Sequence, residues 1–173
     1  FYADGDGDSY GDLTVMAEAC EVPEGYVSDN TDCDDTRNTV YPGATEYCDD
    51  LDNDCDDVID ENDAVDASNW YFDNDRDGYC NAATSIRSCT VPEGYVADAT
   101  DCNDSKATAY PGASEFCDEI DNDCDVTVDE NGAVDAPIWY IDADGDGYGD
   151  GGLDADLSAC AEPAGYADNN TDC

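Results

Sequence analysis

Apolar side chains form only short clusters along this chain, and acidic or turn-forming residues separate them. Two clusters are aromatic and β-branched, Trp70–Phe72 and Ile138–Ile141, and this composition predicts short β-strands. The pairs Tyr26-Val27 and Tyr95-Val96 predict shorter strands still. No apolar run is long enough to span a membrane, and no amphipathic stretch supports a long helix.

Two Pro-Gly pairs predict turns at equivalent places in the chain. Pro42-Gly43 and Pro111-Gly112 are each followed by Ala and, two residues after it, by an acid, and Pro-Gly dipeptides mark turns. We expect one helical turn after each pair, through Ala44–Cys48 and Ala113–Cys117. The predicted fold class is therefore small, loop-rich tandem repeats with short β-strands and little helix, stabilised by calcium and disulfides for the reasons given below.

The sequence repeats itself with a period of 69 residues. Residues 1–69 and 70–138 align without a gap and share 37 identities. A third copy starts at Trp139, gains two residues near Gly151 and Gly152, and reaches Cys173. We predict repeat units at residues 1–69 and 70–138 and a partial unit at 139–173, each packing chiefly on its neighbours.

The net charge opposes a compact state. The chain has 47 acids, 4 bases and no histidine, for a formal net charge of −43, and only 23 of its 173 residues are Leu, Ile, Val or Phe. Such a composition is typical of disordered chains, but strict motif spacing and 11 cysteines are not. We therefore expect bound cations and disulfides to stabilise the fold, each disulfide by about 2–4 kcal/mol.

An acidic loop with the pattern Asp-x-Asp-x-Asp opens each repeat. Alternate carboxylates on a tight loop converge on one point, which suits Ca²⁺ because it takes roughly six to eight oxygen ligands. By the spacing of an EF-hand loop, the expected ligands are Asp4, Asp6, Asp8, the Tyr10 carbonyl and Asp12; Asp73, Asp75, Asp77, the Tyr79 carbonyl and Asn81; and Asp142, Asp144, Asp146, the Tyr148 carbonyl and Asp150.

These first loops lack the glutamate that closes an EF-hand. Val15, Thr84 and Leu153 stand at its position. The missing ligand must come from a neighbouring acid, another repeat or water.

A second acidic loop ends each full repeat. Its expected ligands are Asp52, Asp54, Asp56 and the Val58 carbonyl, with Asp60 or Glu61; and Asp121, Asp123, Asp125 and the Thr127 carbonyl, with Asp129 or Glu130. Asp57 and Val126 replace the usual turn glycine, which weakens the standard turn. One ion in each of the five loops predicts about five or more Ca²⁺ ions.

A third acidic cluster lies between the two loops of each full repeat. It comprises Asp32, Asp34, Asp35 and Glu46, and in the second copy Asp101, Asn103, Asp104 and Glu115. Two arrangements are open: the cluster forms a separate ion site, or it completes the shell of the second loop.

The D-C-D-D, P-G-A-x-E-x-C-D and D-N-D-C-D motifs resemble the MopE-type metal-binding repeat of bacterial and archaeal surface proteins. The resemblance covers residues 32–61 and 101–130 and implies an extracellular, cation-binding, tandem module. The acidic loops are also similar, more loosely, to thrombospondin type 3 calcium-binding repeats. Copper is not expected, because the chain has no histidine and Met16 is its one methionine.

The cysteines indicate disulfides and an oxidising compartment. If the partial third unit is self-sufficient, Cys160 pairs with Cys173. Repeat symmetry then predicts the pairs Cys20–Cys33, Cys89–Cys102, Cys48–Cys55 and Cys117–Cys124. Alternatives are a Cys33–Cys48 pair or pairs that cross repeat units. Cys80, which replaces Gly11 and Gly149, is either a free buried thiol or a link to another chain.

These features favour a structural role over catalysis. The main hypothesis is a calcium-stabilised, disulfide-bonded extracellular repeat protein, the protomer of a surface filament or stalk built by head-to-tail self-association or with other surface proteins. The alternative is a cation-binding or adhesin-like surface module. No enzyme is expected, since histidine is absent and no base accompanies the Ser or Cys residues. The charge sign disfavours nucleic acid.

Overall fold

The computed structural model describes residues 1–150 and 156–172, and within these ranges it contains short β-strands and no helix. The strands are β1 (Tyr2–Ala3), β2 (Asp12–Met16), β3 (Tyr26–Val27), β4 (Ser68–Phe72), β5 (Ser85–Ser88), β6 (Tyr95–Val96), β7 (Ile138–Ile141), β8 (Leu157–Ser158) and β9 (Tyr166–Ala167). Both stretches expected to form strands, and both Tyr-Val pairs, are confirmed. None of the described segments is a helix long and apolar enough to cross a bilayer.

Each repeat contributes one three-stranded sheet. The strand orders are β2-β1-β3, β5-β4-β6 and β8-β7-β9. The aromatic strand is central, and its antiparallel partner is the Tyr-Val or Tyr-Ala strand: Tyr2 pairs with Val27, Tyr71 with Val96, and Tyr140 with Ala167. The other edge strand, β2, β5 or β8, was not predicted because its sequence varies between repeats and has no consistent alternation.

The helical turn predicted after each Pro-Gly pair is wrong. The Pro-Gly turns themselves form, but Ala44–Cys48 and Ala113–Cys117 are irregular, without helix. The reason lies in Glu46, whose carboxylate accepts hydrogen bonds from the N–H groups of Asn53 at 2.9 Å and Asp60 at 3.2 Å. These bonds hold the Glu46 side chain at the second acidic loop.

The buried interior is small and partly polar. Val40 and its counterpart Ala109 are buried beside the second acidic loop, as are Asn53 and Asn122, which are 2% and 0% exposed. Such an interior supplies little hydrophobic stabilisation for a chain of this length.

The chain forms two compact units. Unit 1 comprises Phe1–Trp70 and Ser85–Glu93, and unit 2 comprises Tyr71–Thr84 and Gly94–Cys173. Unit 1 holds the disulfides Cys33–Cys55 and Cys48–Cys89, and unit 2 holds Cys102–Cys124 and Cys117–Cys160.

The four pairs predicted within repeats are therefore wrong. The second acidic loop turns back on the T-D-C segment, so that the Cys33 N–H lies 3.3 Å from the Cys55 sulfur. Cys48 and Cys117 instead bond Cys89 and Cys160, each in the following repeat, as the alternative of crossing pairs allowed. Cys160 is thus unavailable to Cys173, which lies outside the described residues.

Candidate metal centres

The first acidic loop folds by hydrogen-bonding its carboxylates to its own backbone. The N–H groups of Gly7 and Tyr10 donate to Asp4 and Asp8 at 2.7 and 2.8 Å. This is the usual turn chemistry of aspartate. The sixth position has a left-handed φ even where it is Ser9, at 84°. As a result, one carboxylate oxygen each of Asp4, Asp6 and Asp8 lies within 4.8 Å of the other two.

Two acids from the T-D-C-D-D segment complete this group. Oxygens of Asp6, Asp32 and Asp35 also lie within 4.8 Å of one another. Asp35 is held there by the Gly5 N–H, which donates to it at 2.6 Å. In the second repeat the Asn74 N–H donates to Asp104 at 3.1 Å in the same way. We name the two groups the loop-1 clusters; their acids are Asp4, Asp6, Asp8, Asp32 and Asp35, and Asp73, Asp75, Asp77, Asp101 and Asp104.

The loop-1 clusters contain buried oxygen atoms without hydrogen-bond partners. One oxygen each of Asp6, Asp8 and Asp32 is in this state, as are oxygens of the equivalent Asp75, Asp77 and Asp101. Buried acceptors are normally satisfied, which makes these atoms candidate ligands for a cation. Burial raises the pKa of Asp32, and the nearby charges of Asp8, Asp6 and Asp35 raise it further. The pKa of Asp101 is raised for the same reasons.

Four predicted ligands of this region have other partners. Asp34 accepts hydrogen bonds from Thr36 and pairs with Arg37 at 2.7 Å, and its counterpart Asn103 accepts one from Ser105. The Thr14 N–H and hydroxyl donate to Asp12 and hold its pKa below the ordinary value. Asn81 accepts the Ala83 N–H.

Two of the three tyrosines predicted to offer carbonyls, Tyr10 and Tyr79, have a structural role in their side chains. Tyr10 stacks on Tyr41 with ring centroids 5.3 Å apart and planes 9° from parallel, and Tyr79 stacks on Tyr110 at 5.4 Å and 5°. These stacks join the first loop to the Pro-Gly turn. The third copy repeats the loop geometry: Asp142 accepts the N–H groups of Gly145 and Gly147, and Asp146 accepts that of Tyr148. The predicted ligand Asp150 donates its N–H to the Ile141 carbonyl.

The second acidic loop forms a different group. Glu46, Asp54 and Glu61 have oxygens within 4.8 Å of one another. Asp52 lies at the base of the turn and accepts the N–H groups of Asp56 and Asp57 at 3.1 and 3.0 Å. We name this group and its equivalent the loop-2 clusters; their acids are Glu46, Asp54 and Glu61, and Glu115, Asp123 and Glu130.

The geometry distinguishes Glu61 from Asp60. Asp60 accepts the N–H groups of Asp49 and Asp50 at 2.9 and 3.0 Å. Both oxygens of Glu61 are buried without partners, as is one oxygen of its counterpart Glu130. Burial raises the pKa of Glu61 to about 7, with contributions from Asp56 and Glu46. Asp129 accepts the Glu119 N–H, as Asp60 does in the first copy.

The remaining predicted residues of the second acidic loops form hydrogen bonds within the turn. Asp121 accepts the N–H groups of Asp125 and Val126. Asp56 and Asp125 accept those of Val58 and Thr127. The turn forms without glycine. Asp57 and Val126 adopt the left-handed backbone that glycine usually provides, with φ values of 72° and 75°.

Sequence reasoning missed the asparagine of the D-N-D-C motif. The buried Asn53 side chain accepts the Tyr47 N–H at 2.8 Å, and the backbone N–H of Asn53 donates to the Glu46 carboxylate at 2.9 Å. Asn122 makes the same two contacts with Phe116 and Glu115. The same asparagine recurs beside the acids in both full repeats, and this recurrence was the sequence signal that could have identified it. The third acidic cluster is therefore divided: Asp32 and Asp35 complete the first loop, and Glu46 completes the second.

All usable donors in these clusters are oxygens. A further group of Asp32 with Cys33 and Cys55 has metal-ligand spacing, but the two sulfurs form a disulfide and are not thiolates. Carboxylate-only groups suit hard cations such as Ca²⁺, Mg²⁺ or Mn²⁺, whereas copper sites use imidazole or soft sulfur.

A comparison with known families supports the assignment of metal binding. The copper-binding MopE family model, described as a "Putative metal-binding motif", matches residues 32–61 and 101–130. These ranges contain the completing acids of loop 1 and the whole of loop 2. No curated protein and no solved structure matches the chain. Two segments of this chain thus carry the MopE metal-binding motif, once in each full repeat.

Proposed function

We propose that this protein is a calcium-stabilised structural repeat of an extracellular surface assembly, the protomer of a filament or stalk. The observation that carries the proposal is the set of buried, unpartnered carboxylate oxygens in the loop-1 and loop-2 clusters. A folded chain with a net charge of −43 needs cations at these points to offset repulsion among its acids.

Calcium is favoured over other hard cations by the ligand number. The loop-1 cluster of the first repeat consists of two groups that share Asp6, namely Asp4, Asp6 and Asp8, and Asp6, Asp32 and Asp35, which makes five acids in all. Mg²⁺ prefers to keep several waters and only one or two carboxylates, whereas Ca²⁺ accepts many carboxylate oxygens. When Ca²⁺ is bound, it supplies charge neutralisation and cross-links the first loop to the T-D-C segment.

The disulfides support an extracellular location. Four disulfides among the described residues indicate an oxidising environment. Two of them join consecutive repeats, which suits a mechanically loaded, quasi-linear object. We also propose that the protein has no catalytic role and acts through assembly.

Thermal unfolding with Ca²⁺ and with a chelator tests the stabilising role. We expect a markedly higher Tm and slower proteolysis with Ca²⁺, and filaments by electron microscopy only in the loaded sample. An unchanged Tm in chelator would contradict the stabilising role. A compact monomer at high protein and Ca²⁺ concentration would contradict the filament.

The second candidate function is a cation-binding or adhesin-like surface module, favoured by the match to a family named for copper binding. Competition among Ca²⁺, Mn²⁺ and Cu²⁺, measured by calorimetry, distinguishes the two. Tight, selective uptake of one metal over Ca²⁺ without polymerisation favours the binding module.

A further inference from the structure

We propose that Cys20 is one half of an inter-repeat disulfide, and that the surface around it binds a further repeat of this kind carrying an unpaired cysteine at the position of Cys48. The inference is independent of which ion the carboxylate clusters hold. It names the partner for the self-association in the proposed function.

The first observation is the bonding of the equivalent cysteines. Cys20 aligns with Cys89 and Cys160 in the repeats. Cys89 is bonded to Cys48 of the preceding repeat, and Cys160 to Cys117, with separations of 41 and 43 residues. Cys20 alone of the three is a free cysteine. Cys89 and Cys160, the two other cysteines at this position, are thus each bonded to a cysteine of the preceding repeat.

The second observation is burial. Cys20 and its neighbour Ala19 are exposed, whereas Cys89 and Cys160 are half-buried. Ala159, the counterpart of Ala19, is 6% exposed. The same backbone position is covered where a preceding repeat supplies a cysteine and uncovered in repeat 1.

The third observation is a hydrogen bond made beside the disulfide. The Arg87 guanidinium donates to the Ala64 carbonyl at 2.7 Å, and the Ser158 hydroxyl contacts the Ala136 carbonyl at 3.4 Å. Both acceptors lie in the turn before the next repeat. The equivalent residue in repeat 1 is Glu18, whose ionised side chain has no donor. A Glu18→Arg variant should therefore give repeat 1 the donor that Arg87 supplies in repeat 2.

The partner cysteine comes from outside the described repeats, because Cys48 and Cys117 are already bonded. Closing the bond removes two protons and two electrons from the two thiols. Glutathione disulfide accepts both and leaves as two glutathione thiols. The clusters of carboxylates take no part in this step.

Two extended versions of the whole chain test the inference. In the first, a copy of residues 32–69 is fused ahead of Phe1; in the second, a copy of residues 103–138 is fused after Cys173 to offer a Cys117-type cysteine to another molecule. Both are refolded with glutathione and glutathione disulfide, and disulfides are mapped on unreduced peptides. Controls carry Cys20→Ser, or a change in the added segment alone, which is Cys48→Ala in the first version and Cys117→Ala in the second.

We expect the first fusion to link Cys20 to the added Cys48-type cysteine, with loss of Cys20 alkylation. The second should give a ladder of covalent oligomers that Cys20→Ser abolishes, and Glu18→Arg should form either link faster. A link in the first fusion alone supports a partner repeat in the same polypeptide, and a ladder supports one in a second chain.

Cys20 remaining free in both fusions while the four native disulfides form would overturn the proposal. So would a link from Cys20 to any other added cysteine. These results are separate from the calcium melt, so failure of one does not imply failure of the other.

Discussion

Asp6 and Asp32 come from different loops, yet their carboxylates lie within 4.8 Å of each other. Each has a buried oxygen without a hydrogen-bond partner. Two like charges so placed repel each other, and a cation between them offsets this repulsion. This contact therefore joins the start of the repeat to the segment that carries the MopE motif.

The first prediction separates the acids of the loop-1 cluster from their neighbours. Asp32→Asn removes a charged ligand and should weaken Ca²⁺ binding about tenfold, or about 1.4 kcal/mol. Asp34→Asn, two residues on, removes only a surface pair with Arg37 and should change the affinity little. Calorimetric titration with Ca²⁺ measures both. Equal losses in the two variants would contradict the assignment.

The second prediction concerns pH and Glu61. In the metal-free protein its pKa is raised to about 7 from 4.5, so the folded state holds a proton more tightly than the unfolded state. Stability without metal is therefore greatest below pH 4.5 as far as this group is concerned, and it falls as the pH rises through 7. Bound Ca²⁺ favours the ionised form and should remove this loss.

Denaturant unfolding in chelator between pH 5 and 8 measures the effect. Glu61→Gln should flatten the pH dependence, whereas Asp60→Asn should leave it, because Asp60 accepts two backbone N–H groups instead. A metal-free protein whose stability rises over this range would show that Glu61 is not the titrating group.

The third prediction tests the strained turn of loop 2. Val126 has a φ of 75° and is 94% exposed. The left-handed backbone is strained by the Val126 Cβ, and the exposed side chain makes few packing contacts that would offset this strain. Val126→Gly should stabilise the protein by up to about 1 kcal/mol after the entropy cost of glycine is deducted. Val128→Gly, in the same loop but without positive φ, should instead lose about 0.5–1 kcal/mol. Chemical denaturation in Ca²⁺ compares the two, and destabilisation by Val126→Gly would contradict the argument.

Local features of the fold could be predicted from the sequence. The Asp-x-Asp-x-Asp loops, the strands at Trp70–Phe72 and Ile138–Ile141, and the Pro-Gly turns depend on neighbouring residues, so spacing and residue type identify them. The choice between Asp60 and Glu61 could not be made in this way. It depends on which side chain accepts the hydrogen bonds of the Asp49 and Asp50 N–H groups.

The sequence pattern could not identify contacts between residues that are far apart in the chain. Glu46 and Asp32 belong to one motif but complete different ion groups, because the Pro-Gly turn carries Glu46 to the second loop. The predicted disulfide pairs were wrong for a related reason. The prediction assumed that each repeat closes on itself, whereas Cys48 bonds Cys89 in the following repeat.

The last prediction concerns the position shared by Gly11, Cys80 and Gly149. A Cβ at Gly11 would lie 2.8 Å from the Asp29 carbonyl oxygen and 2.9 Å from the Tyr2 Cβ, and the carbonyl belongs to backbone that cannot move freely. In repeat 2 the same position accommodates Cys80, which is 1% exposed and whose thiol donates to the Phe72 carbonyl at 2.9 Å. Burial raises the Cys80 pKa, and the charges of nearby aspartates raise it further, which makes this thiol a poor nucleophile.

Gly11→Ala should therefore destabilise the protein by about 1–3 kcal/mol through overpacking. Cys80→Ala keeps the Cβ and should cost less, since it loses only a weakly donating thiol. Chemical denaturation of both variants compares them. In the native protein an alkylating reagent should modify Cys20 rapidly and Cys80 only after unfolding. Rapid modification of Cys80 in the folded state would show that repeat 2 is open at this point. Unchanged stability in Gly11→Ala would contradict the steric argument for Gly11.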